Sequence, residues 1–251
     1  MKNTQKAKLR ARLGFSLIEL MIATALFTIV AGGVFALLGN SQQRYSMEKD
    51  YLSSFQQANV AMDQIVRDVH SAGFPPTNAF TAATAAANPG KVATPFAWSP
   101  AGAVCTVGAC TSPAAYDLIV ETDLGNGVQW VRYTLVGTTL QRGIVAKAAG
   151  ADPIATFAAA GAMVPYLDNV MNNPSAAQRT ALQATYPAMF PGNAAVPMFT
   201  YTYDTGSLSQ PPNIREVNIT LIVQAANRDQ SNGMLRVVTL TGQAMRVNPN
   251  Q

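Results

Sequence analysis

The residues GFSLIELMIATALFTIVAGGVFALL, at positions 14–38, decide how the rest of the chain is interpreted. Residues 15–38 form an apolar run of 24 residues in which Glu19 is the only charged side chain. A charge at the centre of a bilayer costs about 2.5 to 3.5 kcal/mol, and less near the interface. We therefore expect the carboxylate of Glu19 to have a partner.

The length of this run fits a transmembrane helix. As a helix, residues 15–38 extend about 36 Å, which is enough to cross a hydrocarbon core of about 30 Å. A cleaved secretory signal has a shorter apolar core, of about 7 to 15 residues, and no acid inside it. A plain single-pass anchor explains the length but leaves Glu19 and the junction between Gly14 and Phe15 without a purpose.

Basic residues are concentrated before the apolar run. Residues 1–14 hold five lysine and arginine side chains and no acid, which leaves 17 − 5 = 12 basic against 13 acidic side chains in the rest of the chain. Positive charge before an apolar segment keeps that end in the cytoplasm and sends the following domain across the membrane. The remaining chain is nearly neutral, so we do not expect it to bind nucleic acid.

This amino-terminal segment resembles the class III prepilin signal of type IV pilins and type II secretion pseudopilins. The resemblance covers the basic leader, the glycine, the sequence SLIELM at residues 16–21 and the length of the apolar run. It implies that a prepilin peptidase cleaves after Gly14 and that the new terminal residue, Phe15, is methylated. It also implies an assembly role for Glu19, five residues into the mature chain.

Cleavage after Gly14 would create the partner that Glu19 requires. The new amine at Phe15 is positive, and the Glu19 carboxylate of a neighbouring subunit can pair with it when the apolar helices bundle. Two unit charges 4 Å apart attract by about 4 kcal/mol at an effective dielectric of 20, which is comparable with the insertion cost. Processing and assembly are thereby linked, because the uncut chain has no amine at this position.

The helix is predicted to continue through residues 39–73. A seam of mostly apolar residues repeats at spacings of three and four, and we expect it to pack against the globular domain. Gly73, followed by Pro75 and Pro76, predicts that the helix ends near Ala72. The seam comprises Tyr45, Glu48, Leu52, Phe55, Asn59, Met62, Val66 and Val69.

The stretch at residues 62–74 resembles the end of this helix in PilW-type minor pilins, where an Arg-Asp pair precedes an Ala-Gly terminus. We expect Arg67 and Asp68 to be surface charges. His70, the only histidine of the chain, is expected to be a solvated residue on the helix face.

Residues 74–251 are predicted to form a globular domain of antiparallel strands with Ala- and Pro-rich loops. A long amino-terminal helix followed by strands without βαβ alternation indicates an α+β fold, which is also the fold that the resemblance to pilins implies. A short helix is expected at residues 176–184, with Ser175 as its cap. Strands are predicted at residues 116–122, 129–136, 139–146, 198–204, 215–225 and 235–246.

The two cysteines, Cys105 and Cys110, enclose four residues that include Gly108. Outside the cytoplasm this spacing favours a disulfide, with two unpaired buried thiols as the alternative. Cys-x4-Cys with one distant histidine does not supply a tetrahedral soft metal site. The oxygen donors in residues 168–173 match no established calcium loop, and we expect a polar turn there.

The chain carries no motif that predicts an enzyme or a cofactor site. It has no Gly-x-Ser-x-Gly elbow to hold a nucleophilic serine, and no phosphate-binding loop of the Gly-x4-Gly-Lys type. We therefore expect a structural protein without catalytic residues or cofactors, whose assembly depends on a separate ATPase.

The resemblance as a whole implies a minor type IV pilin of PilW type, held in the inner membrane by one span with its carboxyl-terminal domain in the periplasm. Its expected partners are prepilin peptidase, other minor and major pilins and the inner-membrane assembly platform. After assembly it would lie in a pilus, at low copy or at the tip. The carboxyl half also resembles J-type minor pseudopilins, so a type II secretion pseudopilus is an alternative. A membrane-anchored binding or adhesive module that never polymerises is another.

Overall fold

The computed structural model describes residues 15–102, 104–227, 234 and 236–247. The chain divides into two units, Met1–Ser46 and Met47–Gln251. Helix α1 spans Leu17–His70, so it forms the described part of the first unit and begins the second. Gly14 and the rest of the basic leader lie outside the described residues.

Among its described residues, the second unit also contains three short α-helices, four single-turn 3-10 helices and seven strands. The α-helices are α2 (Ala82–Ala87), α3 (Pro153–Phe157) and α4 (Ala176–Thr185). The strands are β1 (Asp117–Asp123), β2 (Val128–Val136), β3 (Thr139–Ala146), β4 (Met163–Leu167), β5 (Phe199–Tyr203), β6 (Ile214–Gln224) and β7 (Val237–Met245).

The strands form two antiparallel sheets. One has the order β1-β2-β3-β4 and the other the order β5-β6-β7. The largest core contains buried side chains from the end of α1 and from both sheets, including Ile65 on the helix, Leu118 on β1 and Ile219 on β6. The predicted α+β fold, with a long amino-terminal helix packed against antiparallel sheets, is confirmed, and it is consistent with a pilin-like architecture.

Helix α1 ends where the sequence predicts. Its last residue is His70, and Gly73 follows with a φ of +77°, in the left-handed region that favours glycine. A Cβ atom at this position would also lie 3.0 Å from the ring of Pro95. Gly73 therefore ends the helix, and its lack of a side chain leaves room for Pro95 to pack against the backbone at this point.

The predicted seam on α1 is wrong in its first half. Tyr45, Glu48, Leu52 and Phe55 are exposed. The buried positions are instead Ala58, Ala61, Met62, Ile65, Asp68 and Val69. The pattern of large apolar residues missed this face because two of its members are alanines, whose small side chains let the helix approach the sheets closely.

Gly242 on β7 contributes to the same close packing. A Cβ atom added at Gly242 would lie 2.5 Å from Sδ of Met62, so the methionine side chain occupies the space above the glycine. This contact places the edge strand of the second sheet directly against α1.

Strand β7 and the second-unit part of α1 run alongside each other in the same direction. Arg236, just before β7, forms an ion pair of 2.6 Å with Glu48. At the other end, the backbone N–H of Val247 donates to the carbonyl of His70 at 3.4 Å. Between these contacts the helix covers about 33 Å and the strand about 36 Å, so their lengths match.

The opposite face of the second sheet is partly covered by α4 and the loop after it. Leu182, Phe190 and Ile222 are buried together there. Ser175 caps α4 through a capping box with Gln178, as its sequence position predicts.

The six strands predicted from the sequence are confirmed, with ends that differ by up to two residues. Strand β4 was missed. It has only five residues, lies within the Ala- and Pro-rich region and contains Pro165, which a strand tolerates only at an edge. β4 is indeed an edge strand, paired with β3 alone.

Candidate functional site

The first half of α1 presents an uncovered apolar surface. Every residue from 15 to 38 is exposed except Ala31, which is half-buried, and Phe27 is 73% exposed. This helix is long and apolar enough to cross a membrane, and none of its most apolar 18-residue window is buried within the protein. An exposed apolar surface of this size requires a lipid or protein environment.

Glu19 has a hydrogen-bond partner at the start of its own helix. The backbone N–H of Ser16 donates to Oε2 of Glu19 at 2.9 Å. In return, the hydroxyl oxygen of Ser16 accepts from the N–H of Ile18 at 3.2 Å. These two bonds form a variant of the capping box, in which the serine caps the N–H two residues on and not three, and they satisfy N–H groups that a helix start leaves without partners.

The capping box was not predicted, although its signal is present in the sequence. A serine followed three residues later by a glutamate, directly before an apolar run, is the usual pattern for a capped helix start. Glu19 therefore has a local partner in addition to the expected intermolecular one. The donor in this bond is an uncharged backbone N–H, which does not neutralise a carboxylate as a cation would.

Phe15 lies just before the helix and is 92% exposed. Its backbone nitrogen precedes the capping box by one residue, and cleavage after Gly14 would turn this nitrogen into a free amine. Two of the three residues expected at this site, Phe15 and Glu19, thus lie at the described start of α1, whereas Gly14 is outside the described residues.

A second cluster of functional groups joins the end of α1 to the first sheet. Oδ2 of Asp68 accepts a hydrogen bond of 2.5 Å from the hydroxyl of Tyr133 and forms an ion pair of 2.9 Å with Arg142. Its other oxygen, Oδ1, accepts from the side chain of Gln64 at 2.8 Å. The expectation that Asp68 is a surface charge is wrong, because the residue is buried and paired.

The cluster also changes the acidity of Tyr133. Burial raises the pKa of its phenol well above the usual value, and the negative charge of the neighbouring Asp68 raises it further. The phenol is therefore held in its neutral form, in which it donates to Asp68. Arg67 and His70 are exposed, as predicted.

A third carboxylate, Glu121 on β1, is also buried and paired. Its Oε1 accepts from the indole N–H of Trp130 at 2.8 Å, and its Oε2 forms an ion pair of 2.7 Å with Lys147. The backbone N–H of Thr94 donates to the same Oε2 at 2.8 Å. These bonds fasten the irregular segment before β1 to the sheet.

The structure joins Cys105 and Cys110 in a disulfide, with their Cα atoms 5.6 Å apart. The loop is also attached to a distant segment, because the N–H of Val107 donates to the carbonyl of Ser209 at 2.9 Å. The loop and the segment before β6 therefore hold one another in place.

The oxygen-rich segment at residues 168–173 uses the side chain of Asn172 within the fold. The side chain of Asn172 is buried and donates to the carbonyls of Val196 and Thr220, while its Oδ1 accepts from the N–H of Ile222. These bonds use the amide to tie backbone segments together. Across the described part of the chain, no group of three or more His, Cys, Asp or Glu residues is placed to hold a metal ion.

Comparison with known proteins identifies one matching family model. The prokaryotic N-terminal methylation motif matches residues 9–35, which include Gly14, Phe15 and Glu19. No curated protein and no solved structure matches the chain. The match covers the end of the basic leader, the capped helix start and most of the exposed apolar run, and it supports a pilin or pseudopilin of the type IV pilin-like family.

Proposed function

We propose that this protein is a minor type IV pilin that helps to initiate or cap a pilus. The observation that carries the proposal is the start of α1, where a single carboxylate lies in an exposed apolar helix within a matched methylation motif. In the precursor, this helix holds the protein in the inner membrane, with the carboxyl-terminal domain in the periplasm. In the filament, the same apolar surface packs against the helices of other subunits.

Prepilin peptidase cleaves the precursor after Gly14, and Phe15 becomes the methylated amino terminus. The positive amine then pairs with Glu19 of a neighbouring subunit. The capping box supports this sequence of events, because the bond from Ser16 holds the Glu19 side chain beside the helix start, and cleavage after Gly14 keeps both residues in the chain. The carboxylate is thus positioned before its cationic partner arrives.

The globular unit supports a low-copy position. It contains two sheets and two long loop-rich segments, between α1 and β1 and between β3 and β5. Such segments would crowd a densely packed filament wall, whereas a tip or initiation complex leaves space for them. The partners in this proposal are other minor and major pilins and the inner-membrane assembly platform.

We infer a structural role and not an enzymatic one. The buried carboxylates Asp68, Asp117 and Glu121 each form an ion pair with a basic side chain across strands or between α1 and a strand. Such pairs stabilise the fold and leave these carboxylates unsuited to acid–base catalysis.

A minor pseudopilin of a type II secretion system is the second candidate, since it would use the same signal and helix. Copy number and neighbouring genes distinguish the two. Co-purification with sheared pili, together with adjacent genes for other minor pilins, supports the pilus. Location beside genes for an outer-membrane secretin and secretion-specific subunits supports the pseudopilus. A chain that keeps its leader and never enters filaments would support a membrane-anchored binding module.

A further inference from the structure

The edge strand β7 lacks the features that normally protect the edge of a sheet. Natural edge strands are short, carry charges or proline, contain bulges or are covered by other segments. β7 has nine residues, none of them charged and none of them proline. Its register with β6 is continuous from Val237 to Met245.

The three other sheet edges are protected. The outer edge of β1 is covered by neighbouring segments, through hydrogen bonds from Gly73 to Glu121 and from Ala97 to Ile119. β4 has five residues and contains Pro165. β5 also has five residues, and its register with β6 shifts near Thr202. β7 is therefore an exception within this protein.

The hydrogen bonds at the two ends of β7 show which of its backbone groups face outward. The N–H of Arg246 donates to Arg215, and the N–H of Ala225 donates to the carbonyl of Arg236. Because bonding groups alternate along an antiparallel strand, the even-numbered residues of β7 bond to β6. The odd-numbered residues present their N–H and C=O groups to the open edge, and these residues are Val237, Thr239, Thr241, Gln243 and Met245.

No partner for these outward groups is found among the described residues. The open edge ends at Val247, whose N–H is bonded to His70. The side chains of Thr239, Thr241 and Gln243 are exposed on the face of the sheet that points away from α1. Both the backbone edge and this face are therefore accessible in the second unit.

A cleft of about 520 Å³ adjoins this edge on the same face. Its floor includes Thr239, Thr220 and Ile222, and its wall includes Tyr186, Met189 and Val196 from the loop after α4. None of the residues that line it is charged. Its size and mostly apolar lining suit one or two large uncharged side chains.

We propose that an extended segment of a different protein binds at the edge of β7 as a fourth strand of the second sheet. The outward N–H and C=O groups recur about every 7 Å, a spacing that an extended peptide backbone matches. The residue paired with Thr239 places its side chain on the same face, beside the cleft. The partner segment thus carries a large apolar side chain at that position, and no charge next to it.

The proposal goes beyond the assembly role of α1, because it uses a separate surface and a different kind of contact. It is tested with the full-length chain in cells that contain the native partners. A photo-crosslinking amino acid, p-benzoylphenylalanine, replaces Thr241 at the open edge. As a matched control, the same probe replaces Thr200, which is exposed on the opposite edge strand, β5.

Substitutions at Thr239 separate strand addition from a general surface contact. Thr239→Pro removes an outward N–H without removing a bond to β6, and Thr239→Lys adds a charge beside the apolar cleft. Thr239→Val keeps the N–H and the preference for a strand. We expect both blocking variants to reduce the crosslinked product from position 241 about tenfold, and Thr239→Val to leave it unchanged.

Amide hydrogen exchange supplies an independent readout. In the purified chain alone, the outward amides of Thr239, Thr241 and Gln243 should exchange quickly, and those of Leu240 and Gly242 slowly. In the crosslinked complex the outward amides should slow about tenfold. Slow exchange at Leu240 and Gly242 in the two blocking variants shows that these variants have folded.

The proposal is supported if the crosslinked product contains a different protein and its formation requires the N–H of Thr239. The outward amides must also exchange more slowly in the crosslinked complex. It is overturned by the absence of a product at position 241, by a product that both blocking variants leave intact or by unchanged amide exchange. A product of twice the mass of the chain overturns the assignment to a different protein and indicates pairing between two copies.

Discussion

The backbone N–H of Ser16 donates a hydrogen bond to the carboxylate of Glu19, three residues later on the same helix. The charged residue of the apolar run thus has a local role in addition to the intermolecular role that processing suggests. The capping role requires only a hydrogen-bond acceptor, whereas pairing with an amine requires a negative charge. Substitutions can separate these two roles.

Glu19→Gln and Glu19→Ala test which role matters for assembly. Glutamine keeps the acceptor of the capping box but loses the charge, and alanine loses both. We expect both variants to lower incorporation into sheared filaments by at least about tenfold, since each removes the ion pair. Quantitative immunoblots of sheared filaments and membranes measure this ratio. Wild-type incorporation of Glu19→Gln would assign the residue to helix capping alone.

The bond between Tyr133 and Asp68 should contribute to stability through the contact between α1 and the first sheet. Asp68→Ala leaves Arg142 without its carboxylate, and a mostly buried pair broken in this way costs about 3 to 5 kcal/mol. Tyr133→Phe removes two hydrogen bonds, the one that its hydroxyl donates to Asp68 and the one that it accepts from Nε of Arg142, and should cost about 1 to 3 kcal/mol. Chemical unfolding of the full-length chain in detergent measures both. Asp63→Ala, on the exposed face of the same helix, is the matched control and should change little.

The raised pKa of Tyr133 predicts a loss of stability at alkaline pH. The phenol stays protonated in the folded state, while in the unfolded state it ionises near pH 10, its ordinary pKa. The stability that the protonated phenol contributes is fully present below pH 10 and is lost as the pH rises towards the folded-state pKa. The unfolding free energy should fall by up to about 1.4 kcal/mol per pH unit for each such tyrosine.

Tyr201, whose pKa is also raised by burial, adds to the same effect. The alkaline decline should therefore be shallower in Tyr133→Phe, and shallower still when Tyr201→Phe is combined with it. Unfolding curves between pH 8 and about pH 11 provide the measurement. Identical pH dependence in the wild type and the double variant would show that neither phenol contributes.

The close approach of Met62 to Gly242 predicts a compensating pair of substitutions. Gly242→Val inserts atoms where the Met62 side chain lies, and overpacking of this kind costs about 1 to 3 kcal/mol. Met62→Ala creates space at the same point, so the double variant should lose less stability than the sum of the two single losses. Thermal unfolding of the four chains measures this coupling, and strict additivity would contradict the contact.

The disulfide between Cys105 and Cys110 should be present in the native protein. Without reductant, the chain should take up no alkylating reagent, and after reduction it should take up two equivalents. Replacement of both cysteines by serine should cost about 2 kcal/mol, because the loop that the bond closes is short. Uptake of two equivalents by the unreduced native chain would instead support two free thiols.

The sequence predicts the large elements of this fold well because their signals are local. Gly73 ends α1, Ser175 starts α4, and alternating apolar residues mark β6. The buried face of α1 could not be found in the same way. It includes two alanines, the Met62 side chain that lies over Gly242, and a charged residue, Asp68. The partners of Asp68, Tyr133 and Arg142, are more than 60 residues away in sequence.

The candidate site shows the same contrast. Gly14, Phe15 and Glu19 are recognisable from their order along the chain, and the capping box could have been recognised too. The open edge of β7 could not, because it depends on which strands pair and which edges other segments cover. Sheet order is a property of the folded chain and leaves no local signal in the strand.

The central claim, that this protein is processed after Gly14 for assembly, is tested most directly by mass spectrometry of its native amino terminus in sheared filaments. The account predicts a chain that begins at methylated Phe15 and is present at a small fraction of the major subunit. A native chain that begins at Met1 and is confined to the membrane would contradict it.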